Sequence, residues 1–372
     1  PVSGITIAVL LATSAVFLIL GFKGDSAILA TLGVAAIVCC AACTAGDCSQ
    51  DLKTGACCSA DSMPPHVCQA LKNIHEEVIE KFYGCGSPIP FNLDGANVLD
   101  LGCGSGRDCY ILSQLVGPKG HVTGVDMTEE QLSVANKHIG WHMDKFGFDE
   151  PNIEFKQGYI EDLKTAGIAD NSMDLVVSNC VINLSPDKDR VFAEIFRVLK
   201  PGGELYFSDI FGNRRVPEAL KSDPVLLGEC LGGALYIEDF RRLLSRHGCH
   251  DYRVVAQSEV PLLDPDIIEK LGMIDFYSLT IRAFKGEYED ICEDYGQVAW
   301  YKGTIKHCPH SFILDDHHEF KTGQPVLVCG NTAQMLSGLR YQDHFRIDGD
   351  TSTHYGAFDC GPVAIKEGGS CC

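Results

Sequence analysis

Strand-like and helix-like runs alternate through the middle of the chain. Short runs rich in Val, Leu and Ile are separated by segments in which apolar residues recur every three or four positions. The pattern predicts strands at 96–101, 121–126, 153–156, 174–179 and 203–207, and helices at 108–115, 129–146 and 187–199. Strands that alternate with helices pair in parallel through right-handed crossovers, so we expect an α/β, doubly wound sheet.

Further elements are predicted on both sides of this alternation. An amphipathic, lid-like helix is expected at 66–82, and a small, separate C-terminal unit of short strands, with one at 325–329, is expected after 287. Between the sheet and this unit the pattern predicts helical segments at 218–235 and 237–246, and strands at 252–256 and 276–284.

The N-terminal segment is apolar. Residues 5–21 and 26–43 carry no charge, and each run is near the lower length of a membrane span. A helical hairpin, a single anchor and a cleaved signal-like segment all remain open. Membrane association through 5–43 is therefore an expectation for this part of the chain, beside a catalytic domain that we expect in the cytoplasm.

Charge and cysteine usage restrict the partners. A formal net charge of -20 repels a nucleic-acid backbone, and no basic stripe offsets it, so we expect no nucleic-acid partner. The 19 cysteines of 372 residues are too sparse for a small disulfide scaffold and lie in segments typical of an intracellular enzyme. Their thiols are therefore expected to be largely reduced.

A glycine loop follows the first strand of the alternation. In VLDLGCGSGRD the strand leads into Gly102, Gly104 and Gly106, whose missing Cβ atoms let the backbone approach a ligand closely. This spacing differs from the G-x-G-x-x-G fingerprint of dinucleotide binding, which disfavours NAD. Asp100 lies just before the loop, and Asp126 ends the second strand, where an acid can accept both ribose hydroxyls of a nucleoside.

With these two elements in register, the chain resembles the class I S-adenosylmethionine-dependent methyltransferases. The resemblance implies a Rossmann-like methyltransferase sheet and S-adenosyl-L-methionine as cofactor. It also implies that the residues after the third and fourth strands border the adenine and the methionine portion. These residues are Tyr159, Ile160, Glu161, Asn179 and Val181.

Several thiols lie in or beside turns, where they can face chemistry. They are Cys57 or Cys58 in the entry segment, Cys85 after the first helix, Cys180 at the end of the fourth strand, and Cys230 in GECLGGALY. Thiolates are soft ligands, so a cluster of them selects thiophilic metals or metalloids. The acceptor of the methyl group is therefore expected to be soft.

Taken together, the segments HVCQALKNIHEEV, YGCGSPIP, SNCVINLSPDK and GECLGGALY resemble the arsenite methyltransferases from about residue 57 to residue 284. The resemblance implies that trivalent arsenic, arriving as arsenite or its thiol conjugate, is bound by Cys180 and Cys230, with Cys85 as a further ligand. It also implies a functional thiol at Cys57 or Cys58. Methyl- and dimethylarsenicals would be the products, which is arsenic detoxification.

In those enzymes each methyl transfer leaves pentavalent arsenic, which must be reduced. A disulfide that forms among Cys57 or Cys58, Cys85 and Cys180 is the expected source of electrons. A reductant of the glutathione or thioredoxin type would then reset the thiols.

The composition shifts and the resemblance divide the chain into five parts. They are an apolar segment at 1–45, an entry segment with the lid helix at 46–90, an S-adenosylmethionine-binding domain at 91–208, an arsenic-binding region that completes the sheet at 209–286, and the C-terminal unit at 287–372.

Two other functions remain open from the residues alone. A methyltransferase for a carbon, oxygen or nitrogen acceptor would leave the cysteines merely buried, as we expect for Cys103 and Cys109 inside the cofactor loop and its helix. A thiol-rich metalloid-binding protein without turnover would not need an intact glycine loop. The run of charged residues and histidines at 315–319 is interpreted as a surface loop and not as a metal site.

Overall fold

The computed structural model describes residues 63–82, 88–262 and 264–359. The apolar N-terminal segment, Cys57, Cys58 and Cys85 lie outside these residues. Within the described part, no helix is both long and apolar enough to cross a membrane. The expected membrane association through 5–43 falls on the undescribed segment and stays a prediction.

A central sheet carries the fold, and its first five strands and the helices between them appear near the predicted positions, except that the single helix predicted at 129–146 is two helices divided at His138. The strands are β1 (Asn97–Leu101), β2 (His121–Asp126), β3 (Ile153–Gln157), β4 (Met173–Asn179) and β5 (Leu199–Gly212). The helices between them are α3 (Arg107–Val116), α4 (Glu129–Lys137), α5 (Ile139–Phe146) and α6 (Lys188–Val198), after α1 (Pro65–Leu71) and α2 (Glu76–Glu80) at the start.

After β5 the chain forms α7 (Glu218–Lys221), α8 (Pro224–Gly228), β6 (Leu235–Tyr236), α9 (Ile237–Arg246), β7 (Tyr252–Val260), α10 (Pro265–Leu271) and β8 (Phe276–Phe284). The strand order is β3-β2-β1-β4-β5-β8-β7, with β6 paired to β5. β1 to β5 are parallel, whereas β8 is antiparallel to both β5 and β7. The predicted doubly wound sheet is confirmed, with an apolar core on each of its faces.

The predicted single helix at 66–82 is wrong, because the chain breaks at His75. The His75 backbone is extended, and its Nδ1 accepts the backbone N–H of Glu77 at 3.1 Å. The N–H of His75 donates to Nε2 of the buried His142 at 3.1 Å, so it cannot join a helix. His142 Nδ1 lies 2.8 Å from the His138 carbonyl oxygen. Burial lowers the pKa of His142 to about 4, which keeps this imidazole neutral. Two short helices replace the long one.

The helical segment predicted at 218–235 is also interrupted. Only α7 and α8 are helical, and the chain turns at Cys230 to Gly233 before β6 begins. Asp223 separates α7 from α8 because it is the N-cap of α8. Its Oδ1 accepts the backbone N–H groups of Val225 and Leu226.

The C-terminal residues form small sheets of their own. The elements are β9 (Glu293–Asp294), β10 (Gln297–Tyr301), β11 (Ser311–Ile313), β12 (Glu319–Lys321), β13 (Pro325–Val328), α11 (Gly330–Leu336), β14 (Phe345–Asp348) and β15 (Gly356–Ala357). β10 lies between β13 and β14, β11 pairs with β12, and β9 pairs with β15. Their shared core includes Phe284 of β8, so this unit packs against the main sheet.

Buried ion pairs join the C-terminal unit to the sheet. Glu204 of β5, 1% exposed, binds Arg282 of β8 at 2.6 Å and Arg340 at 2.9 Å. Arg340 also donates to the carbonyl oxygens of Phe91 and Asn92, just before β1. The C-terminal unit is thereby tied both to β5 and to the segment just before β1.

The interpretation of 315–319 as a surface loop is wrong for Asp315. This carboxylate is buried and lies 3.3 Å from Arg253 of β7, while His318 Nδ1 and the backbone N–H groups of His317 and His318 lie against its other oxygen. The sequence pattern misses it because the charge that compensates Asp315 comes from a distant strand.

Candidate functional site

The glycine loop has the backbone that the sequence predicts. Gly102, Gly104 and Gly106 have φ values of 69°, 52° and 88°, a left-handed region that side chains rarely adopt. A Cβ on Gly102 would stand 2.5 Å from the Val181 side chain. At Gly104, by contrast, no described residue beyond its chain neighbours comes within 4 Å of such an atom. The loop is thus packed on one side and open on the other.

Asp126 lies against the open side of this loop. Its Oδ2 accepts the Gly104 backbone N–H at 2.9 Å, and its Oδ1 accepts the Thr128 N–H at 2.8 Å. The carboxylate remains partly exposed. A partly exposed acid beside open backbone fits the ribose diol of S-adenosylmethionine, so these residues suit the cofactor that the sequence predicts.

Asp100, just before the loop, is buried. The Cys109 thiol lies 3.1 Å from its Oδ2. Burial raises the pKa of Asp100 well above its ordinary value, and the nearby Asp108 raises it further. Cys103 and Cys109 are buried as predicted, which leaves them to packing and to support of the loop.

A polar network joins the start of α3 to the end of β4. Asn179 Nδ2 donates to Asp108 Oδ2 at 3.0 Å, and Arg107 binds Asp108 Oδ1 at 2.7 Å. All three side chains are buried. The guanidinium of Arg107, the carboxylate of Asp108 and the amide of Asn179 offer partners for the amino and carboxylate groups of a methionine portion.

The residues predicted to border the adenine follow β3, beside Asp126. The Gly158 N–H donates to the Asp126 carbonyl oxygen at 3.0 Å, which brings this turn next to the acid. Tyr159 is 63% exposed, Ile160 is buried, and Glu161 accepts a hydrogen bond from Ser185 Oγ at 2.5 Å. An exposed ring and a buried aliphatic side chain at this edge suit a flat, apolar base.

Cys180 and Cys230 share an unusual backbone conformation. Their φ values are 56° and 58°, in the left-handed region. The other non-glycine residues with positive φ in the described part are asparagines and a histidine, which adopt it more readily. Such strain, on the order of 1 kcal/mol per residue, clusters at functional sites.

The two cysteines meet across their turns. The Cys230 thiol lies 4.0 Å from the Cys180 carbonyl oxygen, and the Cys180 N–H donates to the Ser208 carbonyl oxygen of β5 at 2.8 Å. Cys180 is buried and disulfide-bonded, while the other eight cysteines of the described part hold unoxidised thiols. The turn at Cys180 packs against Gly102 through the Val181 side chain, so this turn lies beside the glycine loop.

Asp209 is a residue of this site that the sequence analysis missed. It is 1% exposed, and its carboxylate accepts the backbone N–H of Asn183 at 3.0 Å, the Asn183 side-chain amide at 2.7 Å and its own neighbour Ile210 N–H at 2.8 Å. It anchors the turn that follows Cys180. The only available signal was an acid two residues beyond the strand predicted at 203–207, because the observed strand runs on to Gly212.

Gly233 allows the turn that contains Cys230 to approach the turn that contains Cys180 closely. A methyl group there would overlap the carbonyl oxygen of Asn183. We expect Gly233→Ala to separate the two cysteines and to reduce turnover by about tenfold or more, since small misplacements of reacting groups have large effects on rate. Binding of S-adenosylmethionine, measured by calorimetry, should be unchanged.

Gly140→Ala is the matched control, because apart from its chain neighbours and the backbone of its own helix no described residue comes within 4 Å of the added methyl. Equal activity of the two variants would contradict the packing argument.

Known proteins resemble the chain in both of its parts. Residues 92–248 match the family model of a methyltransferase domain, and residues 295–366 match that of an arsenite methyltransferase C-terminal domain. The crystal structure of an arsenic(III) S-adenosylmethionine methyltransferase from Chlamydomonas reinhardtii superposes with a TM-score of 0.78 at 53% identity. It covers 80% of this chain and 100% of that chain.

Curated relatives extend over most of the chain. An arsenite methyltransferase from Aquipseudomonas alcaligenes is 52% identical over 333 residues, which are 87% of this chain and 96% of that protein. The arsenite methyltransferase of Homo sapiens is 45% identical over 300 residues, 80% of each chain. With this identity and coverage, the chain belongs to the arsenite methyltransferase family.

Proposed function

We propose that this protein transfers a methyl group from S-adenosylmethionine to trivalent arsenic held by Cys180 and Cys230. One observation carries the assignment of the thiols: the two cysteines with strained, left-handed backbone meet at the turn that also packs on the glycine loop. Once the disulfide of Cys180 is reduced, two thiols in one place are soft ligands for a thiophilic acceptor. Membership of the arsenite methyltransferase family supports the proposed methyl transfer, and the contact between the two cysteine turns supports the proposed arsenic site.

The chemistry needs position more than proton transfer. Each thiol that binds arsenite replaces one oxygen ligand, which leaves as water with the thiol proton, and arsenic keeps a lone pair that points away from the sulfurs. S-adenosylmethionine, when bound, supplies an electrophilic methyl group on a sulfonium. The lone pair of arsenic forms the new As–C bond while the S–CH₃ bond breaks, which gives S-adenosylhomocysteine. The residues of the turn hold the acceptor in line with the cofactor, and proximity accounts for much of the rate.

The hydrogen bonds around Cys180 support that positioning role. Asp209 fixes Asn183, Ser208 fixes the Cys180 backbone, and Gly233 brings the Cys230 turn into contact. With the turn anchored on β5, the sulfurs have little freedom to move away from the cofactor loop. A methyltransferase for a carbon, oxygen or nitrogen acceptor has no need for this strained pair.

A reduction step completes each cycle. Methyl transfer uses the lone pair of arsenic and leaves it pentavalent, so two electrons must return before the next transfer. We propose that two thiols among Cys57 or Cys58, Cys85 and Cys180 supply them by forming a disulfide, and that glutathione or a thioredoxin-type protein reduces it. The disulfide-bonded state of Cys180 is compatible with this step. Cys85 is also proposed as a third arsenic ligand.

The test is an assay with purified protein, arsenite, S-adenosylmethionine and glutathione, in which arsenic species are separated by chromatography and counted by mass spectrometry. Methylated arsenic and S-adenosylhomocysteine are expected in equal amounts for the first transfer. A protein that binds S-adenosylmethionine yet forms no methylated arsenic would contradict the proposed reaction. Omission of the thiol should stop the reaction after at most one turnover.

A further inference from the structure

A second pair of cysteines lies in the C-terminal unit. Cys329 directly follows β13 and precedes α11, and Cys292 directly precedes β9. Asn331, two residues after Cys329, exchanges hydrogen bonds of 2.9 and 2.8 Å with the backbone of Glu289, which brings the segment before β9 against the start of α11. Within this contact the Cys292 thiol hydrogen-bonds to the Cys329 sulfur. Neither cysteine has a part in the proposed methyl transfer.

The Cys329 sulfur is surrounded by hydrogen-bond donors. It accepts the Thr332 backbone N–H at 3.4 Å, lies 3.3 Å from Thr332 Oγ1, and receives the Arg253 guanidinium at 3.9 Å. Such contacts favour a thiolate over a thiol, and together with the Cys292 thiol they lower the pKa of Cys329. Charges near the guanidinium are the carboxylates of Asp251 and Asp315, which it also binds.

The two sulfurs differ in access. Cys329 is fully buried, whereas Cys292 is partly exposed. A thiophilic ligand can therefore bind first at Cys292 and then exchange onto the thiolate of Cys329. A buried thiolate beside a partly exposed thiol is suited to hold a ligand with two exchangeable positions.

This pair is separated from the methyl-transfer site by the architecture of the sheet. Arg253, which contacts Cys329, lies at the beginning of β7, three strands away from β4 in the sheet order. Because β7 has the same direction as β5, its beginning lies at the opposite edge from the carboxyl ends that carry Cys180. A ligand bound there is out of reach of the glycine loop.

We propose that Cys292 and Cys329 form a second, non-catalytic binding site for trivalent arsenic. Arsenite would lose two of its three oxygen ligands as water, with the two protons coming from the protein thiols or from solution, and no electrons are transferred. The choice of arsenic rests on the proposed function, since other soft ions would suit the same sulfurs. Methylarsonous acid, with two exchangeable oxygens, would also bridge the pair. Dimethylarsinous acid has one and could bind only one sulfur.

The experiment counts arsenic bound to the full chain after equilibrium dialysis against arsenite and glutathione, without S-adenosylmethionine. It is done in a Cys230→Ser background, so that the methyl-transfer site is disabled. Adding Cys292→Ser should remove about one arsenic per chain. Cys329→Ser should do the same and still fold, because serine is a preferred N-cap and can keep the hydrogen bond to Thr332.

Cys308→Ser is the matched control, since this buried thiol of the same unit has its pKa raised to about 11 by burial. It should leave the bound arsenic unchanged. If Cys292→Ser also leaves it unchanged, or if dimethylarsinous acid is retained as well as arsenite, the second site is wrong. Failure of the proposed function would appear differently, as absence of methylated arsenic from the unaltered protein.

Discussion

Replacing Cys230 with serine is expected to reduce methylation of arsenite by about a hundredfold or more, because arsenic then loses one of the sulfurs proposed to hold it beside the cofactor. A hydroxyl is a hard ligand and does not substitute for a thiolate. Serine keeps the size of the side chain, and the hydrogen bond at 4.0 Å to the Cys180 carbonyl oxygen is weak, so folding should be preserved. The measurement is arsenic speciation together with calorimetric binding of S-adenosylmethionine, which should be unchanged.

Cys249→Ser provides the comparison. This thiol is buried, its Sγ lies 3.4 Å from the Asp251 carbonyl oxygen, and burial raises its pKa to about 12. It should methylate arsenite at the normal rate. Normal turnover by Cys230→Ser would show that Cys230 is not an arsenic ligand.

The largest effect on stability is expected from Glu204→Gln. This buried carboxylate binds Arg282 and Arg340, and its removal leaves two cationic groups in the interior with no opposite charge. Breaking a buried pair by removal of one partner costs about 3–5 kcal/mol of unfolding free energy, because the remaining charge is neither solvated nor compensated. Unfolding in urea, followed by circular dichroism, should show a lower midpoint.

Glu238→Gln is the matched control, because it removes a carboxylate from an exposed ion pair. Glu238 binds Arg241 at 2.8 Å on the surface of α9, where such pairs contribute about 1 kcal/mol or less. An equally small effect of Glu204→Gln would mean that the C-terminal unit does not depend on this network.

Local patterns predicted the sheet well because the residue types within a strand indicate whether that strand is buried. The runs at Asn97–Leu101 and Met173–Asn179 are largely buried on both faces, as expected for parallel strands covered by helices. The glycine loop could also be predicted from the sequence, since its left-handed backbone conformation favours glycine.

Apart from the break in 218–235, where Asp223 caps the residues next to it, the failures involve partners that are distant in sequence. The break at His75 is caused by His142, and Asp315 is buried because Arg253 approaches from β7. The role of Asp209 depends on its hydrogen bonds to Asn183, which the local sequence near the end of the strand does not indicate. The positions of Cys180 and Cys230 could be inferred from their turns. Their contact could not, since it depends on how two loops pack.

The left-handed backbone at Cys180 and Cys230 has a consequence for protein engineering. Glycine adopts this conformation without strain, so a search for thermostable sequences would tend to replace both cysteines. Such a search would remove the sulfurs of the proposed site while it improved the fold. Any stabilised version of this enzyme therefore has to exclude these two positions from optimisation and seek its gains elsewhere.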